Sequence, residues 1–465
     1  MAGIGFQLER MARNGGVGGF ASAAFHGAVI SCGPWMLTIL AVMLLQVWTG
    51  AHTQLAARTT IQTIMVYSFS ASVVIAAPFA LIGVRLVSDL IYSRDRDHVP
   101  AILLRMLNWA TVTALAVGFL LFGLFAGLPP MVALLAVAIL ILLTQIAVTG
   151  PFLTTTKRQG PILLGYMAGI AAATALVLLV GITRLPGILV TVSGALVVTH
   201  LLLLSAIRSE FPAPSAEAAR KKLDLRPVLH VGLAGLANAL ALWIDKWMLW
   251  WAPTSMPVLG SLRVNPVYDT ASFLGLLTLI PGLSLLLVMA ETRLERVFAR
   301  FASRCTGTAK LSRIEEARRD VSRTILRQLR LLIAMQIVLA TVGWVLTPEL
   351  FMHLGLDPRG IFSFRFTVVG AVFHLVAIYC TIVLSYYDLF GRIVAVWLIF
   401  AFSSLIGTLA VWQLGFAGFG WGYMIGALAA AVAGLAMVGN ATVQLIYLMF
   451  VGNNPSVVGE VRYWA

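Results

Sequence analysis

Acidic residues are scarce in this chain, and the apolar segments of its first half are almost without them. Asp and Glu number 18 in 465 residues, against 32 Lys and Arg. Inside the apolar segments of the first half the only acid is Asp89, near an inner end and four residues after Arg85. A carboxylate switch of the kind that drives cation-coupled transport therefore has little to work with there. Cysteine is equally sparse: Cys32, Cys305 and Cys380 form neither a disulfide framework nor a metal-ligand spacing. There is no Walker A sequence, no Gly-rich nucleotide loop and no nucleophile elbow. Nothing resembles a voltage-sensor arginine ladder or a potassium filter. The expectation is a chain that is not an enzyme and that holds no cofactor or metal.

Long polar stretches are missing as well, and what fills their place decides the class. Residues are 60% hydrophobic and only 11% charged, and the mean hydropathy is +0.95. Twelve apolar segments account for about two-thirds of the chain. They run over 22–48, 59–91, 101–127, 131–154, 161–182 and 186–207, then 228–251, 270–290, 331–348, 362–387, 393–415 and 420–450. A hydrocarbon core about 30 Å thick needs roughly 20 apolar residues per helix. Barrel strands alternate in polarity, which these runs do not. The predicted fold class is therefore an all-α polytopic membrane protein with about 12 transmembrane helices.

The basic residues test that count. With a cytoplasmic N-terminus, 26 of the 32 Lys and Arg fall in or beside cytoplasmic segments. Arg58, Arg184, Arg263 and Arg359 lie on the outer side, and Lys246 and Arg365 near span ends. A missed helix would invert the asymmetry downstream, so both termini are expected inside. The sequence pI near 10.3 then reports topology and attraction to anionic lipid rather than nucleic-acid binding. The first twenty residues carry Glu9, Arg10 and Arg13 and lead into a full-length apolar segment without an A-x-A site. No cleaved signal is expected.

The expected organisation is a cytoplasmic segment 1–21, a six-helix bundle 22–207, a cytoplasmic linker 208–227, a second six-helix bundle 228–450, and a cytoplasmic tail 451–465. Two sets of six in the same orientation suggest a parallel repeat. Within the second bundle the connection 291–330 carries eleven Lys or Arg. ETRLERVFARFASR and SRIEEARRDVSRTILRQLRLL both have helical spacing, with Glu315–Arg319 a favourable i,i+4 pair and Glu316–Asp320 an unfavourable one. Two readings stand for it: an inner-surface helical hairpin drawn to lipid phosphates, or a docking surface for a cytosolic partner. Arg293, Arg296, Arg300, Arg318 and Arg319 are the docking candidates.

Ionisable groups inside hydrocarbon are costly and are normally paired or line a cavity. Asp245 and Lys246 stand in GLANALALWIDKWMLWW, toward the outer end of their segment among Trp243, Trp247, Trp250 and Trp251. They are either an interfacial ion pair or a charged wall of a central cavity. Asp269 follows Asn265-Pro266-Val267-Tyr268 and reads first as a helix cap, with pairing to Lys246 the alternative. Asn238 would extend a polar stripe inward. Helix breaks are expected at Gly33-Pro34, Pro78 and Pro281. His200, His230 and His374 are read as packing or hydrogen-bonding residues rather than proton relays.

Two stretches are more specific. MAGIGFQLER, followed by HGAVISCGPWMLTIL, resembles the start of PelG proteins, the multispanning subunit of the bacterial Pel exopolysaccharide machinery. WIDKWMLWW, then VYDTASFLGLLTLIPGL and Glu291-Thr292, is similar to that family's second-half signature. Cys32 stands where the family pattern has a small hydroxyl residue, and Gln7 where it has an acid. The resemblance implies membership of the multidrug/oligosaccharidyl-lipid/polysaccharide exporter superfamily, with two six-helix bundles around a V-shaped cavity (MATE/flippase-like). It implies transport of Pel polysaccharide across the bacterial inner membrane, as a conduit or flippase-like subunit. It also implies partners: the cytosolic glycosyltransferase PelF, the cyclic-di-GMP receptor PelD, and PelE. Sugar polymers are held by stacking faces and exchangeable hydrogen bonds, so Trp243, Trp247, Tyr268 and Asn238 are candidate path residues, with Asp245, Lys246 and Asp269 setting charge. A cation-coupled small-molecule antiporter and a membrane scaffold for the glycosyltransferase are the alternatives.

Overall fold

The computed structural model of the chain describes residues 55–155, 160–180, 184–211, 225 and 228–452. The segment 22–48 with Gly33 and Pro34, the stretch 1–21, most of the 208–227 linker and nearly all of the tail lie outside the described residues. The other eleven apolar segments each coincide with described helix. They are α1 (Leu55–Tyr92), α2 (Val99–Gly118, prolonged by a π turn over Phe119–Phe125), α3 (Pro130–Thr155), α4 (Gly160–Val180), α5 (Leu185–Glu210) and α6 (Leu229–Leu249). Then come α7 (Pro266–Leu277) and α8 (Leu279–Met289) for one segment, α9 (Glu295–Thr306), α10 (Leu311–His353), α11 (Ile361–Tyr386), α12 (Phe390–Ala410) and α13 (Trp421–Val443). Among the described residues, nine helical stretches are long and apolar enough to cross a membrane. Their outer faces agree with that environment: Val338, Val342 and Val345 on α10, and Phe402, Ile406 and Leu409 on α12, are exposed at helical spacing. Water would penalise such stripes, whereas lipid does not.

The described residues fall into two compact units. One takes Leu240–Thr254 and the residues from Asn265 onward; the other takes the residues up to Ala239 together with Ser255–Val264. The boundary thus falls within α6. In the unit holding the first half, Val87, Met106, Ala110, Phe152 and Leu203 form part of a continuous apolar core. Pro78 lies inside the unbroken α1, so the interruption expected there is not seen. Close packing supplies a reason: a side chain at Gly235 of α6 would come within 2.9 Å of the Ala77 carbonyl, so α6 lies directly against the proline turn. Asp89 pairs with Arg85 at 3.5 Å, and both are well exposed.

A small antiparallel hairpin, β1 (Met256–Leu259) with β2 (Leu262–Val264), interrupts the helices. The sequence reading missed it, because two strands this short leave no alternation to detect. Gly260 turns it with φ +57°, and Ser261 donates its N–H to the Ala126 carbonyl at 3.1 Å. The Tyr67 hydroxyl donates to the Arg263 carbonyl at 2.8 Å. The hairpin is thereby fixed to helices of its own unit.

The other unit is built around α11, which buries residues on most of its circumference, from Ser363 to Leu384. Near Pro281, α7 ends at Leu277 and α8 starts at Leu279. Pro281 has no N–H to offer the carbonyl four residues back, and Gln336 Nε2 donates to the adjacent Thr278 carbonyl at 3.0 Å. A second irregularity, a π turn over Ala290–Leu294, leads into α9. Gln328 donates to the Met289 carbonyl at 3.0 Å, and the Tyr386 hydroxyl to the Ala290 carbonyl at 3.0 Å. Side chains thus satisfy backbone groups that the irregular turns release.

Candidate functional site

Asp245, Lys246, Tyr268 and Asp269 lie where α6 ends and α7 begins. Asn265 starts this junction: its side-chain oxygen accepts from the Tyr268 N–H at 3.4 Å. Its amide donates to the Leu249 carbonyl at 3.3 Å and to Thr254 Oγ1 at 3.2 Å. Pro266 occupies the first turn, where a missing N–H costs nothing. The cap is therefore Asn265, not Asp269 as the sequence reading favoured; an Asx side chain one residue before the first turn is the position that reaches the free N–H groups. Asp269 instead accepts the Trp250 indole N–H, at 3.0 and 3.1 Å.

Asp245 and Lys246 are 1% and 6% exposed. Neighbouring residues on a helix diverge by about 100°, yet the long lysine stem folds back along α6. Its Nζ reaches both Asp245 carboxylate oxygens at 3.2 Å and the Leu242 carbonyl at 3.1 Å. The Tyr268 hydroxyl donates to the same carboxylate. No ion pair joins Lys246 to Asp269 among the described residues. The ammonium also stands 6.0 Å from the Tyr268 ring centre and 5.6 Å from that of Tyr423, within cation–π range. Tyr423, from α13, meets His374 Nδ1 of α11 through its hydroxyl at 2.8 Å. Phe400 and Trp397 stand edge-on to the His374 ring at 5.1 and 5.9 Å.

Asp245, Lys246 and Tyr268 thus form one buried, mutually satisfied network, to which Tyr423 and His374 add a second layer. The sequence reading missed Tyr423 altogether; its place depends on α13 packing against α11, which no local pattern announces. Trp243 and Trp247 are partly buried on α6, and Asn238 is exposed. Among the described residues, no hydrogen bond or ion pair joins Trp247 or Asn238 to the Asp245–Lys246 pair.

A second feature lies at the other end of the unit. α9 and α10 form a helical hairpin about the turn 307–310, as the basic connection predicted, but α10 runs on without a break from Leu311 to His353. The connection and the following span are therefore one helix. The reason is visible in the residues: no Gly or Pro occurs from 311 to 342. Arg304 Nη1 donates to the Arg313 carbonyl at 2.9 Å and lies 3.6 Å from Glu316, closing the tip. Glu315 and Arg319 pair at 3.7 Å; Glu316 avoids Asp320 by meeting Arg313 at 3.3 Å. Phe298 anchors the base against Tyr386 and Tyr387, with ring centres 5.5 and 5.9 Å apart. Of the docking candidates, Arg293, Arg296, Arg300 and Arg319 are exposed, while Arg318 is engaged with the Thr442 carbonyl at 3.5 Å.

Solved structures place this fold. The chain is similar to the outward-facing conformation of a multidrug resistance MATE family transporter of the MOP superfamily, at 14% identity and a TM-score of 0.64, over 90% of this chain and 96% of that one. The inward-facing conformation of a multidrug resistance MATE family transporter of that superfamily matches at 15% identity and a TM-score of 0.61, covering 90% and 98%. A MOP superfamily transporter from Pyrococcus furiosus Vc1 (DSM3638), for which a reverse polarity of the binding pocket suggests a different function, matches at 13% identity and a TM-score of 0.60, covering 90% and 94%. The fold is that of MOP superfamily transporters, an all-α polytopic membrane architecture. Comparison with curated proteins gives no match. The profile of the PelG family, described as "Putative exopolysaccharide Exporter (EPS-E)", matches residues 1–450. The chain belongs to the PelG family.

Proposed function

We propose that this protein carries Pel exopolysaccharide across the bacterial inner membrane during synthesis and secretion, as the conduit or flippase-like subunit of the Pel complex. The supporting observation is the match of residues 1–450 to an exopolysaccharide exporter family on a chain with a transporter fold. In this reading the chain has two six-helix bundles, 22–207 and 228–450, joined by the linker 208–227, with both termini cytoplasmic. It transports and does not catalyse. The exposed Asn238 and the indoles of Trp243 and Trp247 offer the polymer hydrogen bonds and stacking faces, while Asp245, Lys246, Tyr268 and Asp269 set the charge. The basic hairpin, through Arg293, Arg296, Arg300 and Arg319, docks PelF, with PelD and PelE alongside in the membrane.

The antiporter alternative is the weaker reading on two grounds. Asp89, the one acid in the apolar segments of the first half, is an exposed partner of Arg85, and Asp245 is already neutralised by a lysine. The test is reconstitution with PelF, PelD and PelE in proteoliposomes whose cytoplasmic face points outward. Nucleotide sugar is supplied outside, and glycosidase-protected polymer is assayed in the lumen. Protected polymer that vanishes when this subunit is omitted, with synthesis unchanged, is expected. Polymer that is made but stays wholly accessible in the complete system would reduce the protein to a scaffold.

A further inference from the structure

We propose that Lys246 is a built-in counter-cation, its ammonium filling a cage that would otherwise hold a free monovalent cation such as potassium or sodium. This concerns the ion requirement of transport and stands whether or not the cargo is a polysaccharide.

The cage offers such an ion a full negative charge and three oxygens. The Asp245 carboxylate presents both oxygens at 3.2 Å, and the Leu242 carbonyl adds a dipole at 3.1 Å. The faces of Tyr268 and Tyr423 flank the nitrogen at 6.0 and 5.6 Å. An ammonium has three donors and no acceptor, and here each donor meets an oxygen. It is close in size to a potassium ion and carries the same charge. The pair is almost wholly buried, so an unneutralised carboxylate at this point would be strongly penalised. A free ion in the cage would have to be bound and released; a lysine on a four-carbon stem is covalently retained. Tyr268 supplies a fourth element, since its hydroxyl orients the carboxylate that the ammonium grips. Fixing the charge in this way removes the ion exchange that could otherwise take place at this site.

The prediction is that the wild-type protein is indifferent to which monovalent cation surrounds it, and that Lys246→Ala makes it dependent on one. Thermal unfolding of the full chain in detergent would be followed in potassium, sodium or N-methylglucamine chloride at equal ionic strength. For Lys246→Ala, potassium or sodium should raise the midpoint saturably by roughly 2–4 °C. Asp245→Asn/Lys246→Ala, which lacks the anion, should show no such rise. Lys246→Met, which fills the space with an uncharged chain, should also fail to respond. A saturable response of the wild type would overturn the proposal, and this arm needs no variant to fold. So would a folded Lys246→Ala protein that ignores both ions, or a double variant that responds as strongly as the single one.

Discussion

Removing the Asp245 carboxylate should damage the fold far more than removing the whole network does. In Asp245→Ala, the Lys246 ammonium loses two of its three oxygen partners while remaining buried, and the Tyr268 hydroxyl loses its acceptor. Breaking a buried ion pair from one side costs about 3–5 kcal/mol, and an orphaned buried hydroxyl adds roughly 1–3 kcal/mol. The contributions overlap, so a loss of about 4 kcal/mol or more is expected. The triple variant Asp245→Leu/Lys246→Met/Tyr268→Phe has no buried charge left to satisfy. It should recover most of that loss, because apolar replacements of similar volume are often neutral or stabilising. Unfolding in mixed detergent–SDS micelles, followed by the fluorescence of Trp243, Trp247 and Trp250 on and beside α6, would measure both. A loss below about 1 kcal/mol for the single variant, the range of an exposed pair, would refute the reasoning. A triple variant no more stable than Asp245→Ala would refute it equally.

Tyr268→Phe alone should cost about 1.5–3 kcal/mol, the range for a hydrogen bond to a charged group, in the same unfolding assay. Gly422→Ala should force α12 and α13 apart, because the added carbon would lie 2.6 Å from the Thr408 backbone nitrogen and 2.8 Å from the Ser404 carbonyl. A loss of roughly 1–3 kcal/mol is expected, and unchanged stability would mean the helices are looser than this packing implies. In the loop between α10 and α11, hydrogen bonds from the Arg359 side chain and backbone hold the Asp357 carboxylate below its usual range. Since its value is lowered on folding, the contribution is present above the unfolded-state value and fades as pH falls through the folded one; Arg359→Gln should raise the titration, read by NMR, only part of the way toward the ordinary range, because the residue-359 backbone N–H still donates to the carboxylate. Charge reversal at Arg293 and Arg300 should reduce co-purification of PelF without changing the yield of this subunit; equal recovery would remove the hairpin from docking.

How much of this was legible in the residues differs by feature. The spans were readable because length and continuous apolarity are local properties that a bilayer imposes one helix at a time. A break near Pro281 was expected for the same reason, since a missing N–H acts within one turn. Pro78 shows the limit: the same chemistry leaves α1 continuous where a glycine of α6 lets a neighbour lie against it. Asp245 and Lys246 were recognisable as costly residues, and an ion pair between them was one of the two readings; what the sequence left open was the lysine stem folding back along its own helix to make it. Tyr423 and His374 come from helices far along the chain, and only packing brings them to Lys246. The continuity of α10 was written in the absence of Gly and Pro, yet a change from charged to apolar composition reads naturally as a boundary. It marks where the helix changes solvent, not where it ends.

That helix gives the hairpin a mechanical property. From Leu311 to about residue 330 it is a shaft of roughly 30 Å, at 1.5 Å per residue, rigidly continuous with the span that follows. Its antiparallel companion has joints, at Thr278 and over Ala290–Leu294. One strut is unbroken and the other is interrupted twice. Tilting the shaft by about 10° would carry its tip about 5 Å, and the same rotation would be felt at Gln336, where the strut grips the first joint. Whatever binds the arginines at the tip therefore holds a handle on the interior of the unit.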